Sequence, residues 1–421
     1  MDQMIAAKTP VSHVVIMILA WGVPVAAEEV SLHGFVQGNY AARITGQELS
    51  GPEGGDVFLG EERLQIKLAT SSQGSAFFLK TDAFRDAVAR ITDLDVREAH
   101  IDVRAGALDL RLGRQIITWG VGDLLFLNDV FPKDYAAFFS GRPLEYLKIG
   151  SDAAKVDVFT DVVSVELVVI PFFQADQLPS SRRFFAFDPF PGVPRVTEEP
   201  RAELGNAETA LRLSRNLLGF DAAVYASRGF FTTPGMRPDN PASPTQVTLF
   251  FPRLATYGAS AQGNALGGVM ALEAAYYDSV DDRTGRDPAI PNSTVRYLVG
   301  YQRQPWSDLT TGIQYYGEYV FDYGPYRDAL SPGFPAQDRL RQLLTVRLTQ
   351  LLRYQTLRLS FFAFYSPTDE DYDLIPEVRY SVTDALWGAI GANLFGGKTE
   401  TTAFGQLNRN DNVYVVARYE F

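Results

Sequence analysis

The stretch Val413-Tyr414-Val415-Val416-Ala417-Arg418-Tyr419-Glu420-Phe421 decides the fold. Val413, Val415, Ala417, Tyr419 and Phe421 fall on one face of an extended chain, and Tyr414, Val416, Arg418 and Glu420 fall on the other. A period of two is the signature of a β-strand whose faces meet different surroundings. Working back from the C-terminus, the same rhythm recurs. Leu374, Val378, Tyr380 and Val382 oppose Glu377, Arg379 and Ser381. Leu357, Leu359, Phe361, Ala363 and Tyr365 face away from Arg358 and Ser360, and Leu344, Val346 and Leu348 from Thr345, Arg347 and Thr349. Near the N-terminus, Leu64, Ile66 and Leu68 oppose Arg63, Gln65 and Lys67, while Leu32, Val36 and Tyr40 oppose Gln37, Asn39 and Arg43. A soluble sandwich also alternates. The difference lies in charges that recur mid-strand, opposite an unbroken apolar stripe, in segments about ten residues long. That arrangement suits lipid outside and water inside.

The connections carry a second signal. Short joins at about 71–75, 105–107, 160–161, 215–219, 262–264, 305–307, 352–355 and 384–385 alternate with polar, Gly/Pro-rich segments. The latter lie at about 45–56, 85–94, 119–150, 173–204, 232–246, 280–293, 320–338, 367–372 and 396–411. Nine long and eight short connections imply an all-β fold, a single transmembrane antiparallel β-barrel of about 18 strands. Sixteen is the alternative, because 76–84 and 151–160 are weakly patterned. The segment 413–421, ending on an aromatic residue, resembles the terminal strand of bacterial outer-membrane proteins. That resemblance implies that Tyr419 and Phe421 serve as the signal read by the barrel-assembly machinery.

Composition agrees. The 421 residues include 29 Phe, 20 Tyr and 35 Gly, a mixture that favours strands and turns over helices. Mean hydropathy is −0.06, too polar for a bundle of membrane helices. The absence of Cys removes disulfides, thiolate metal sites and Cys nucleophiles, and no cofactor motif is present. A net charge of −12 argues against nucleic acid as a partner. At the N-terminus, Lys8 precedes an apolar stretch from Val14 to Trp21, and Val25-Ala26-Ala27 precedes Glu28. This is the layout of a signal peptide over 1–27 with cleavage after Ala27, leaving 28–421 as the barrel. Export of this kind places the chain in the outer membrane of a Gram-negative cell. Its partners there are lipid, lipopolysaccharide and a small-molecule solute.

Val96-Arg97-Glu98-Ala99-His100-Ile101-Asp102-Val103 is followed by Leu108-Asp109-Leu110-Arg111-Leu112-Gly113-Arg114-Gln115 and then Trp119-Gly120. This pair resembles a hairpin of porin-like barrels that include the alginate-export channels and related proteins of unknown function. Asp129-Val130-Phe131-Pro132-Lys133-Asp134 is similar to the acidic, proline-containing loop that follows there, and the resemblance runs to about residue 173. It implies an outer-membrane channel, without carrying alginate over as the solute.

Within the hairpin, Arg111 and Arg114 stand near Glu98, Asp102 and Asp109, either as a selectivity element or as ion pairs bracing the wall. Trp119 is expected in the interfacial aromatic girdle. Arg341, Arg347, Arg358 and Arg379, on three successive strands, form an expected basic ladder down one wall. On the faces assigned inward, fourteen basic residues oppose eleven acidic ones, which predicts a mild anion preference. Two alternatives compete with a porin. A polysaccharide-export or secretion sleeve needs an open bore, yet 119–150 and 173–204 are long enough to fold into it. An outer-membrane enzyme needs an activated nucleophile or water. The mature chain offers only His33 and His100, in separate hairpins, and no Gly-x-Ser-x-Gly elbow.

Overall fold

The computed structural model describes residues 29–46, 53, 55–331 and 334–421; the expected signal peptide lies outside them, as does part of the 45–56 connection. Its strands in chain order are β1 (Glu29–Arg43), β2 (Val57–Ser72), β3 (Ser75–Asp86), β4 (Ile91–Ala105), β5 (Leu108–Gln115), β6 (Ser151–Phe159) and β7 (Ser164–Ile170). There follow β8 (Arg195–Glu198), β9 (Glu208–Leu217), β10 (Phe220–Phe230), β11 (Gly235–Pro238), β12 (Val247–Phe250), β13 (Arg253–Ala265) and β14 (Gly268–Ser279). The last are β15 (Thr294–Trp306), β16 (Leu309–Val320), β17 (Leu340–Leu352), β18 (Leu357–Ser366), β19 (Asp371–Ser381), β20 (Leu386–Gly397) and β21 (Asn412–Glu420). Two short helices, α1 (Tyr135–Phe139) and α2 (Tyr323–Ala329), lie in connections. No helix among the described residues is long and apolar enough to cross a membrane.

Eighteen strands form one sheet, each antiparallel to its neighbours. The sheet closes where β1 pairs with both β2 and β21. Backbone bonds between Gly34 and Phe421, at 2.9 and 3.0 Å, complete the seam. Closure leaves the wall without an unpaired edge, which a strand structure in lipid requires. The remaining strands, β8, β11 and β12, form a small sheet within two of the long connections.

The expected alternation of connections holds. At the turn end, 218–219 and 266–267 join strands in two residues. Leu218 and Gly219 have φ of 54° and 85°, and Leu266 and Gly267 have 53° and 74°. Paired positive φ values match the right-handed twist of the flanking strands. At the loop end, two of the nine connections are shorter than expected: 87–90 and 367–370 are four-residue turns. The weakly patterned 76–84 and 151–160 segments are full wall strands, which excludes sixteen.

Two solvents explain the faces. Val36, Ile390, Val415 and Tyr419 are exposed on the outer surface, while Gln37, Asn39 and Arg418 are buried on the inner one. A wall of eighteen strands, spaced about 4.8 Å apart and tilted about 40°, encloses a backbone diameter of roughly 35 Å. That space is not empty. The 116–150 connection turns inward and buries Leu127, Phe138 and Leu147 against Tyr277, Leu298, Leu343, Phe362 and Phe364 of the wall.

Candidate functional site: the inward-folded segment and its wall

The inward course begins at Trp119. It is four residues past the end of β5, 4% exposed, and packed edge-on to Phe131 at 5.1 Å. Its Nε1–H donates to Glu166 Oε1 at 2.8 Å. The girdle position expected for Trp119 is therefore corrected. The strand has ended before Trp119, so no lipid-facing parity applies, and a buried indole with an acceptor gains more inside.

Beyond it, one wall carboxylate gathers the chain. Glu273 of β14 accepts from the backbone N–H groups of Val121 (2.8 Å), Gly122 (3.0 Å) and Asn128 (2.9 Å), and from the Asn128 side chain (2.9 Å). These amides belong to an irregular turn and have no ladder partner, so a carboxylate satisfies them where an apolar wall residue would not. Gly120, at φ 79°, lets the chain come this close, since a Cβ there would meet Glu273 Oε1 at 2.6 Å.

The acidic and proline-containing stretch then acts as a unit. Asp129, buried, receives Lys133 Nζ at 2.9 Å and Lys148 Nζ at 2.7 Å. Asp134 caps α1 by accepting from Ala137 N at 2.7 Å, and burial pushes its carboxyl up from the ordinary aspartate range. Replacing Lys133 by Met leaves the buried Asp129 with one half-buried partner, Lys148. Loss of one partner of a buried pair costs about 3–5 kcal/mol. The Lys133→Met protein is expected to become cleavable by chymotrypsin at Phe138–Phe139 while the barrel stays SDS-resistant. Unchanged protection would show that the pair does not hold the segment.

The far end of the segment reaches three further wall regions. Arg142 pairs with Glu61 of β2 at 2.9 Å, and Asp123 binds Arg347 of β17, including a 2.6 Å bond from Nη2. Glu145 pairs with Arg418 of β21 at 2.5 Å. Burial alone would raise the Glu145 carboxyl, but Arg418 beside it holds it below the usual range. The contact is thus fully present above the ordinary glutamate range and is lost as pH falls through the lowered value. Tyr146 lies between the guanidinium groups of Arg63 (4.4 Å) and Arg97 (4.3 Å). Sequence reasoning missed Arg97 and Glu61; it placed Glu273 on the inward face but gave it no role in holding the segment. Arg97 is the extra residue of a bulge, since Lys80 pairs with Glu98 and Thr81 with Val96, and a bulge breaks the parity on which a face is assigned.

The charged hairpin is fully paired. Arg111 makes a two-bond contact with Asp102 (2.6 and 3.0 Å), and Asp109 does the same with Arg104 (2.7 and 2.8 Å). Glu98 meets Lys80 and Arg114 meets Asp152, each at 3.7 Å. The expected four-arginine ladder is divided. Leu343 and Thr345, which separate Arg341 from Arg347 on the inner face, are buried by the inward-folded segment. Arg341 stands on the loop side, paired with Asp369 at 2.6 Å.

Arg347, Arg358 and Arg379 stay together, and Arg142 and Arg418 join them around a cavity of about 330 Å³ between the segment and β17–β21. Arg358 and Arg379 are direct cross-strand partners. Arg358 pairs with Glu377 at 2.8 Å, whereas Arg379 lies 3.7 Å over the Trp387 ring and has no carboxylate within 4 Å among the described residues. Four of the five guanidinium groups pair with carboxylates: Arg142 with Glu61 (itself shared with Arg63), Arg347 with Asp123, Arg358 with Glu377, and Arg418 with Glu145 and, at 4.0 Å, Glu420. Arg379 pairs with none among the described residues. The global inward excess of three is not what the structure gives, since Glu61, Asp371 and Asp373 are further acidic side chains buried on the inner side.

Solved structures share the fold. Pseudomonas aeruginosa OccK2 (OpdF), in complex with glucuronate, has a TM-score of 0.56 at 9% identity, covering 94% of this chain and 98% of that one. Pseudomonas aeruginosa OccK10 (OpdN) has 0.52 at 14%, covering 94% and 99%. Acinetobacter baumannii OccAB3 has 0.52 at 8%, covering 93% of this chain and 99% of that one. These similarities establish a porin-like barrel. No curated protein matches the chain. A family model described as protein of unknown function (DUF1302) matches residues 67–303, more than half of the sequence, and the chain therefore belongs to the DUF1302 family.

Proposed function

We propose that this protein is an outer-membrane channel for small solutes, with a mild preference for anions set where the inward-folded segment faces β17–β21. The observation that carries the reading is the opposed pair Arg358 and Arg379 in the wall of that cavity, with Glu377 as the one carboxylate bonded to the pair. Like charges placed directly opposite each other on adjacent strands are destabilising. A passing carboxylate or phosphate relieves that repulsion and gains paired hydrogen bonds from guanidinium groups. The low dielectric of the surrounding wall strengthens the local field. OccK2, which shares the fold, is in complex with glucuronate, a carboxylate. A filled bore argues against the sleeve reading, and His100, buried against Phe78 at 5.4 Å, sits as a wall residue.

The test is single-channel recording in a salt gradient, with the double variant Arg358→Ala, Arg379→Ala beside the wild type. The anion-to-cation permeability ratio is expected to fall about two- to fivefold, as removal of the field at a constriction implies. Arg379→Lys is expected to retain most of the preference. An unchanged ratio in the double variant would reduce these arginines to wall.

A further inference from the structure

A second cavity, of about 800 Å³, opens at the loop end and differs from the arginine-lined one in chemistry. Six connections line it, and four of them supply its apolar side chains: 171–207 contributes Phe190, 231–252 contributes Met236, 280–293 contributes Ile290, and 321–339 contributes Tyr326 and Phe334. Seven prolines line it as well, among them Pro234, Pro288 and Pro335. Proline has no N–H to satisfy and a fixed φ, so these loops present a rigid apolar surface, part of it carried by β11 of the small sheet. Rigidity is reinforced by close packing. A Cβ on Gly235 would meet Ala289 O at 2.3 Å, and the Phe190 and Phe334 rings are 5.5 Å apart.

The charged residues around the cavity are already mutually satisfied. Arg237 pairs with Asp287 at 2.8 Å and lies 4.2 Å over Phe250. Arg341 pairs with Asp369 at 2.6 Å, and Glu318 with Arg296 at 3.1 Å. No net charge is thus offered to a solute here. An apolar, concave, pre-formed cavity of this size with a few satisfied polar groups is the form of a small-molecule site. Such a surface open to water is otherwise a liability.

We infer that this vestibule binds an uncharged or apolar ring-bearing organic molecule, held by its hydrophobic body. The inference does not depend on the anion preference, because binding is read without conductance and at a separate set of residues.

N-phenyl-1-naphthylamine, a neutral two-ring fluorophore, tests it with the full barrel in nanodiscs. Uptake by the bilayer is common to every sample, so the signal is the difference between wild type and variants. Wild type is expected to show a saturable component that Phe190→Ala weakens at least about tenfold, the order expected when a buried aromatic contact of about 1.5–3 kcal/mol is lost. Met236→Asp, at a side chain 37% exposed, is expected to abolish it by placing a carboxylate in the cavity. Heat-modifiability and unaltered conductance steps would show both variants folded. The absence of a saturable component in wild type, or equal binding in folded variants, would overturn the assignment. Displacement by an anionic congener alone, 1-naphthoate without naphthalene, would likewise overturn it in favour of a charge-selecting site.

Discussion

Deleting residues 122–147 and bridging Val121 to Lys148 with a short Gly-Ser linker is expected to raise single-channel conductance by about an order of magnitude and to remove ion selectivity. The estimate follows from geometry. A backbone diameter of roughly 35 Å, less about 5 Å of side chain on each side, leaves a bore about 25 Å wide. The segment now spans that bore from Glu273 of β14 to Arg418 of β21, with a cavity of about 330 Å³ beside it against β17–β21. Conductance scales with cross-section, so removal of the constriction dominates any change in the wall. Glu273→Ala should shift the channel in the same direction by less. It leaves three backbone amides unsatisfied, each at about 1–3 kcal/mol, and so produces flickering openings rather than a uniform increase. Unaltered conductance in a folded deletion protein would show that the segment is no constriction.

Deleting Phe421 is expected to remove most of the SDS-resistant, heat-modifiable barrel while any assembled fraction conducts normally. Two contributions act at this residue. Its backbone exchanges both hydrogen bonds with Gly34 at the seam of the barrel, at 2.9 and 3.0 Å. Its side chain, 48% exposed beside Tyr419 at 53%, points outward, where an aromatic residue anchors at the membrane interface and where assembly machinery could read it. Unpaired backbone groups in hydrocarbon cost several kcal/mol each. Phe421→Ala separates the two contributions, since it keeps the seam and removes the ring. Equal amounts of assembled barrel in the deletion and the wild type would refute both roles.

The fold was legible because water and lipid impose opposite demands on alternate residues. Val413, Val415 and Tyr419 face out, and Tyr414, Val416 and Arg418 face in, as their parity requires. Strand count followed from the alternation of turns and loops, which depends only on local chemistry. The interior was less legible, because its partners are remote. Glu273 meets amides about 145–152 residues away, and Asp123 meets Arg347 across 224. Nothing in a local period marks such pairs. The arginine ladder is divided for the same reason: Arg341 and Arg347 share a face, but the segment that separates them comes from another part of the chain. Trp119 and Arg97 mark the limit of parity itself, one beyond a strand end and one at a bulge.

The reversal potential of the purified wild-type protein in a potassium chloride gradient shows directly whether the channel has a positively biased constriction. Discrete ohmic steps are expected, with a reversal potential displaced toward the chloride equilibrium value. A reversal potential displaced toward the potassium value, or a folded barrel that gives no steps, would contradict a channel of this kind.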